Sequence, residues 1–349
     1  MSVTLPHHWG NYKIATISNS AFSIENAILP MAHHHLDFTV AIPTYNGEER
    51  IGEVLDKLQA QVNVESLNWE ILIIDNNSQD NTAQIIQAYQ ANWLHPYALK
   101  YYQETKQGAG FARKRAVKEA NSPLIGFLDD DNLPALNWVA AAYDFCQQYP
   151  QAGAISSRVK ALWEGETPVH LERILPFLAI NERGLEPLLY YPQSRLLPPS
   201  AGLVVRKSAW LESVPEHCIL RGRVTGKMLT SEDLEVLAYI QQTPWEIWYN
   251  PSMEIEHKIP NWRLQRDYLI PFMEGIGLSR YVTRMIGVKP WQKPFLLMAY
   301  FANDLRKIIM HFFKYGREVK TDLATACEMQ LFISSFISPF YLWTNGYLD

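Results

Sequence analysis

The chain has 349 residues, 48% of them hydrophobic and 19% charged, with a formal net charge of −5 and a pI near 6.1. This is the composition of a globular protein of about one to three domains and excludes a disordered chain. The acidic balance excludes a general nucleic-acid binder, which needs a basic footprint.

From 38 onward, short apolar runs alternate with helical periods. The runs at 38–42, 69–74, 99–102 and 124–128 predict strands, and 48–60, 82–89, 110–120 and 137–148 predict the helices between them. Continuous apolar strands separated by amphipathic helices predict an α/β fold with a mainly parallel sheet covered on both faces. Later, 201–205 and 246–249 read as strands and 231–241 as a helix. Beyond 260 the chain turns helical and aromatic. The expected organisation is a loosely ordered arm over 1–36, containing His33–His34–His35, a catalytic domain over 37–260, and a helical region over 261–349.

In open α/β sheets ligands bind beyond the carboxyl ends of the strands, so chemistry is sought there. The first strand ends in Pro43–Thr44–Tyr45–Asn46, the second in Asp75–Asn76–Asn77–Ser78, and the fourth in Asp129–Asp130–Asp131–Asn132. Asn, Asp, Ser and Pro are ordinary turn residues, which suffices for Asn46 or Asn77 alone. Three adjacent carboxylates after a buried run are different. Like charges so close raise one another's pKa unless a cation neutralises them. A hard divalent ion, Mn²⁺ or Mg²⁺, bridging carboxylate to phosphate is the expected answer.

The segments IPTYN (42–46), EILIIDNNSQDNT (70–82), GAGFARKRA (108–116) and FLDDDN (127–132), in this order, resemble the family 2 glycosyltransferases of GT-A fold. The likeness runs over about 38–260. It implies a nucleotide-binding set of Pro43, Thr44, Tyr45, Asn46, Asp75, Asn77, Arg113, Asp129 and Asp130. Within it Asp75 would contact the base, Asp129 the ribose or the metal shell, and Arg113 the diphosphate. Asp131 would ligate the metal, with His257 as a further ligand. Arg113 could otherwise lie on a solvated helix face with Lys114, Arg115 and Lys118. Arg221–Gly222–Arg223, Gly226 and Ser231–Glu232–Asp233–Leu234 resemble the family's basic loop and ED motif, which makes Asp233 the catalytic base. An equally simple reading makes Ser231 a helix N-cap and the acids its first turn. Gly202, Arg223, Glu232 and Arg263 fall on the acceptor and phosphate side.

The resemblance therefore implies a metal-dependent, inverting transfer from a nucleotide-diphosphate sugar, UDP-linked by virtue of Asp75, to a saccharide or lipid-linked saccharide. The composition of the carboxyl-terminal half is similar to that of bacterial, including cyanobacterial, exopolysaccharide transferases such as those for hormogonium polysaccharide. Two alternatives stay open: a retaining transferase of the same fold, and a non-catalytic nucleotide-sugar binder in an assembly complex. A nucleotidyltransferase is disfavoured, because the first strand is followed by acidic Gly47–Glu48–Glu49 and not by a basic, glycine-rich loop.

Between Lys258 and Lys320 there are twelve Lys and Arg against four Asp and Glu, a net +8 with −13 elsewhere. Aromatics are interleaved with these cations, which suits contact of 261–349 with an anionic membrane surface. No run reaches the ~18 apolar residues of a membrane span, and the first residues lack the pattern of a secretory leader. Cys146, Cys218 and Cys327 form no CxxC pair, as in reduced proteins. The expected place is the cytoplasm, peripheral at the inner face of the plasma membrane.

Overall fold

The computed structural model describes residues 36–166, 169–194, 196–222 and 229–348. The histidine run, nearly all of the expected arm, Arg223 and Gly226 lie outside the described residues. In chain order the elements are β1 (Phe38–Thr44), α1 (Ile51–Gln59), β2 (Trp69–Asp75), α2 (Thr82–Ala91), β3 (Ala98–Gln103), α3 (Ala109–Glu119), β4 (Leu124–Phe127), β5 (Asn132–Pro134) and α4 (Trp138–Gln148). There follow β6 (Ala152–Glu164), β7 (Leu188–Leu189), β8 (Val204–Arg206), α5 (Lys207–Ser213), α6 (Glu232–Ile240) and β9 (Glu246–Pro260). The chain closes with α7 (Arg266–Met285), α8 (Lys293–Tyr315), α9 (Glu318–Thr321) and α10 (Leu323–Thr344).

One sheet runs β3-β2-β1-β4-β8-β6-β9-β5, with β7 on β9. The first four strands are parallel, as their apolar runs predict. Phe38, Val40 and Ile42 of β1 pack with Ile71 and Ile73 under α1, α2 and α4. Ala41, Leu72 and Ile74 point the other way, under α3 and α6. Alternate side chains of a strand face opposite sides, so a strand covered on both must be apolar throughout.

The rest of the sheet is mixed. β8 is antiparallel to β4 and to β6, β5 is antiparallel to β9, and β6 and β9 are parallel. The strand at 152–164 had no apolar run to announce it, since it carries Ser156, Ser157, Arg158 and Lys160. The expected strand at 201–205 starts only at Val204, and that at 246–249 continues to Pro260.

Helices α7, α8 and α10 form a further layer, where Leu269, Phe272, Met273, Cys327 and Leu331 meet Ile259 at the end of β9. No helix among the described residues is long and apolar enough to cross a membrane.

Candidate active site at the carboxyl ends of the strands

Thr44 ends β1, and the chain turns through Asn46 in the left-handed region (φ 49°). Thr44 Oγ1 donates to Asp130 Oδ2 at 2.6 Å, and Arg50 Nε and Nη2 donate to Asp130 Oδ1 and Oδ2 at 2.9 and 3.1 Å. A Cβ on Gly47 would meet Thr44 Oγ1 and come within 2.8 Å of Asp130 Oδ2, so glycine is what lets the turn close over this pair. Asp130 thus spends both oxygens on holding the 44–50 turn. Burial pushes its carboxyl up, Arg50 pulls it back, and the net is above the usual carboxylate value.

At the end of β2, Asp75 is buried; Ser78 N–H donates to Oδ1 at 2.9 Å and Tyr101 O–H to Oδ2 at 2.7 Å. Asn77 is left-handed as well (φ 66°), and Tyr45 leaves 40% of its surface exposed between these turns and solvent. Asn76 fixes the chain entering α3: its amide donates to the carbonyls of Glu104 and Lys106, and its Oδ1 accepts from Gly108 N–H at 2.7 Å.

Arg113 is 6% exposed, not on the wet side of α3. Its guanidinium donates to Glu232 Oε1 at 2.7 Å, Asp129 Oδ1 at 3.0 Å and Ser200 Oγ at 3.1 Å. Lys114 and Arg115 are the solvated residues, Arg115 pairing with Glu119 within its own helix. One buried arginine therefore ties α3, the end of β4, the loop before β8 and the start of α6. Beside it, Asp233 Oδ2 accepts from Ser200 N–H at 3.2 Å and Oδ1 from Leu234 N–H at 2.8 Å. Ser231 does not act as a side-chain cap. It sits in the left-handed region (φ 73°) with no capping hydrogen bond, while Glu232 and Asp233 do form the acidic first turn of α6, so the helix-start reading holds for the two acids and fails for the cap.

Asp131 faces the opposite way, toward the end of β9. The β5–β9 pairing sets His257 opposite Asn132, and Lys258 N–H donates to the Asp131 carbonyl. Asp131 Oδ2 lies 2.9 Å from Arg263 Nη1 and 3.5 Å from His257 Nε2. Burial raises this carboxyl, His257 and Arg263 outweigh burial, and it ends well below the usual range.

The expected answer to acid repulsion was a metal; here each aspartate meets its own arginine: Asp129 with Arg113, Asp130 with Arg50, Asp131 with Arg263. Among the described residues no group of three or more His, Cys, Asp or Glu could by itself hold a metal ion. The residues still fit a divalent ion that takes phosphate oxygens as further ligands. His257 Nε2 stands 3.3 Å from Arg263 Nη1, which can only donate, and 3.5 Å from an acidic oxygen, which can only accept. One ring nitrogen cannot satisfy both. His257 Nδ1 and Arg263 Nε are buried without a hydrogen-bond partner. A carboxylate and an imidazole nitrogen facing one point are suitable ligands for such an ion.

Gly202 lies in the left-handed region (φ 62°), where a Cβ would strike Ile255 Cδ1 and Ser157 Oγ, so its smallness serves packing against β9 and β6. Sequence reading missed Arg50, Tyr101 and the hydroxyl of Ser200. Arg50 follows two glutamates in a polar turn and looks solvated; only its packing against β4 shows its partner.

A family model described as Glycosyl transferase family 2 matches residues 39–211. Glycosyltransferase AglE of Haloferax volcanii is 30% identical over 101 residues, 29% of this chain and 32% of that protein. The poly(ribitol-phosphate) beta-N-acetylglucosaminyltransferase TarS of Staphylococcus aureus is 36% identical over 99 residues, 28% of this chain and 16% of that one. A further relative is the Escherichia coli UDP-Glc:alpha-D-GlcNAc-diphosphoundecaprenol beta-1,3-glucosyltransferase WfgD, 31% identical over 106 residues, 30% of this chain and 38% of the relative. The chain thus spans about a third or less of the first two relatives' length. Among solved structures, the mannosyltransferase PcManGT of Pyrobaculum calidifontis with GDP-Man and Mn²⁺ superposes with TM-score 0.53 at 17% identity, over 87% of this chain and 88% of that one. S. aureus TarS 1-349 with UDP-GlcNAc gives 0.50 at 15% identity, over 89% and 92%. At these identities the structures speak for the fold. Sheet, acidic strand ends and family match coincide: residues 39–211 carry a glycosyl transferase family 2 domain.

Proposed function

We propose that this protein transfers a sugar from a nucleotide diphosphate to a saccharide or lipid-linked saccharide acceptor in bacterial polysaccharide biosynthesis, with inversion at the anomeric carbon. The observation that carries the reading is Arg113, whose contacts with Asp129, Glu232 and Ser200 gather separate motifs at the carboxyl ends of the strands. The relatives are named for such transfers, one of them to a diphosphoundecaprenol-linked sugar.

In this reading Pro43, Thr44, Tyr45, Asn46 and Asn77 frame the nucleoside, and Asp75 accepts from the base. Its two hydrogen bonds leave lone pairs available, since a carboxylate has about four. That favours uracil, and one fold neighbour holds UDP-GlcNAc while the other holds GDP-Man. Asp131 and His257 would hold Mn²⁺ or Mg²⁺, as the Mn²⁺ of the second neighbour suggests. Such an ion supplies Lewis-acid stabilisation to the departing diphosphate.

Asp233, a half-buried residue, is held by two backbone N–H groups. It takes the proton of the acceptor hydroxyl as that oxygen attacks the anomeric carbon. The carbon–oxygen bond to the diphosphate breaks, and the nucleoside diphosphate leaves with the electron pair. Arg113 keeps Asp129 and Glu232 in place, and Arg263, beside Asp131 and His257, would meet phosphate. The protein works in the cytoplasm at the inner membrane face, where a lipid-linked acceptor would be presented.

Calorimetric titration of UDP and GDP tests this. Binding of UDP in Mn²⁺ that vanishes in EDTA and in Asp131→Ala supports the site. If neither nucleotide binds, or binding ignores both ion and Asp131, the reading fails.

A further inference from the structure

The helical block holds a second charge anomaly. Asp304, 1% exposed, takes both terminal nitrogens of Arg284, at 2.5 and 3.0 Å. That carboxylate is consumed, yet two more half-buried cations stand close by. Arg280, one turn before Arg284 on α7, has only Ser335 Oγ at 3.3 Å, and Lys307, one turn after Asp304 on α8, lies over the Phe332 ring. No described carboxylate is within ion-pair distance of either. Burial and the adjacent Arg284 push Arg280 down to about 10; burial and Arg280 push Lys307 below the usual lysine range. Half-buried cations without a counter-charge are costly and mark places where an anion is expected.

A cavity of about 710 Å³ opens beside them between α7, α8 and α10. Tyr281, Met285, Leu297, Phe301 and Pro339 line it, and among the described residues Lys293 is its one charged lining residue. The charge cluster sits about one helical turn from this lining on each helix, Arg284 three residues after Tyr281, Asp304 three after Phe301 and Ser335 four before Pro339, while Arg280 and Lys307 themselves do not line it. Phe340 and Trp343, 56% and 66% exposed, belong both to the cavity and to the surface. That surface goes on through Phe295, Met298, Met310 and Phe313 of α8, a helix that fully buries only Asp304 and His311. An exposed apolar patch of this extent marks an interaction surface.

We infer that the block binds an anionic membrane lipid, its phosphate at Arg280 and Lys307 and its chain in the cavity, with the aromatic face lying in the bilayer interface. This deepens the membrane placement proposed above but does not require sugar transfer. Charge selects the occupant. A second copy would bring the same positive block, ten cations against six anions over 266–344, against itself. An anionic bilayer is complementary to it, and a helix set that cannot span can still lie in the interface.

The test is co-sedimentation of the full chain with vesicles of phosphatidylcholine, alone or mixed with phosphatidylglycerol, with UDP calorimetry on the same protein. Binding is expected on the mixed vesicles only. Arg280→Gln with Lys307→Gln should weaken it about 30-fold, two cations at ~1 kcal/mol each. Phe340→Ser with Trp343→Ser should weaken it comparably, and inorganic phosphate should not displace the protein. Unchanged circular dichroism and thermal midpoint establish that the variants fold. Equal binding to both vesicle types, indifference to either variant pair, or complete displacement by phosphate overturns the lipid site. UDP binding without vesicle binding sinks this inference alone, and vesicle binding with neither UDP nor GDP binding sinks the glycosyltransferase reading alone.

Discussion

Three carboxylates at the end of β4 each face an arginine from another element, whereas among the described residues only Arg284 of three neighbouring cations in the helical block is paired, with Asp304. The first arrangement is locally neutral and rigid, so a cation arriving there must displace a guanidinium already in place. The second is left positive, so an anion arriving there relieves repulsion. Matched charges fix a scaffold in its geometry; a surplus records where a ligand's charge is missing.

The sharpest way to break this comparison is at its catalytic edge. Asp233→Ala should lower the transfer rate about 10²–10⁴-fold, the usual worth of a positioned base. UDP affinity measured by calorimetry should stay unchanged; a variant that keeps its rate removes Asp233 from the reaction. Next, Arg113→Ala removes a buried guanidinium that Asp129, Glu232 and Ser200 share and should cost about 1.5–3 kcal/mol in denaturant unfolding. A cost under ~1 kcal/mol, as for a surface pair, would mean that matching does not hold this end together.

Gly202→Ala should cost about 1–3 kcal/mol through its left-handed backbone and the contact with Ile255, read as a lower thermal midpoint. The smallest effect has the opposite sign. Arg280→Gln removes a like-charge i,i+4 neighbour of Arg284 and should stabilise the fold by about 0.2–0.5 kcal/mol. If it destabilises instead, Arg280 is a structural residue and the surplus is only apparent.

The parallel half of the sheet was legible because buried strands must be apolar on both faces, and the central runs Val40–Pro43 and Ile71–Ile74 are. The strand at 152–164 escaped because serines and charges break its run, and pairing with β9 is what makes it a strand. In the site, residue types at strand ends were readable while their partners were not. Nothing near Asp130 in sequence points to Arg50, eighty positions earlier. Arg113 could be singled out from its neighbours, but its role as a tie between α3 and α6 is a property of packing.

The order of the sheet has a practical consequence for anyone cutting the gene. The family match stops at 211, yet β9 lies between β6 and β5, and both of these come from within the matched stretch. A fragment ending there would expose the long edge of β6 as a template for other chains and strip β5 of its partner. It would also lack Asp233, His257 and Arg263. The segment that comparison recognises as a module is therefore not a unit that can be excised and expressed; soluble truncations should keep at least the whole of β9.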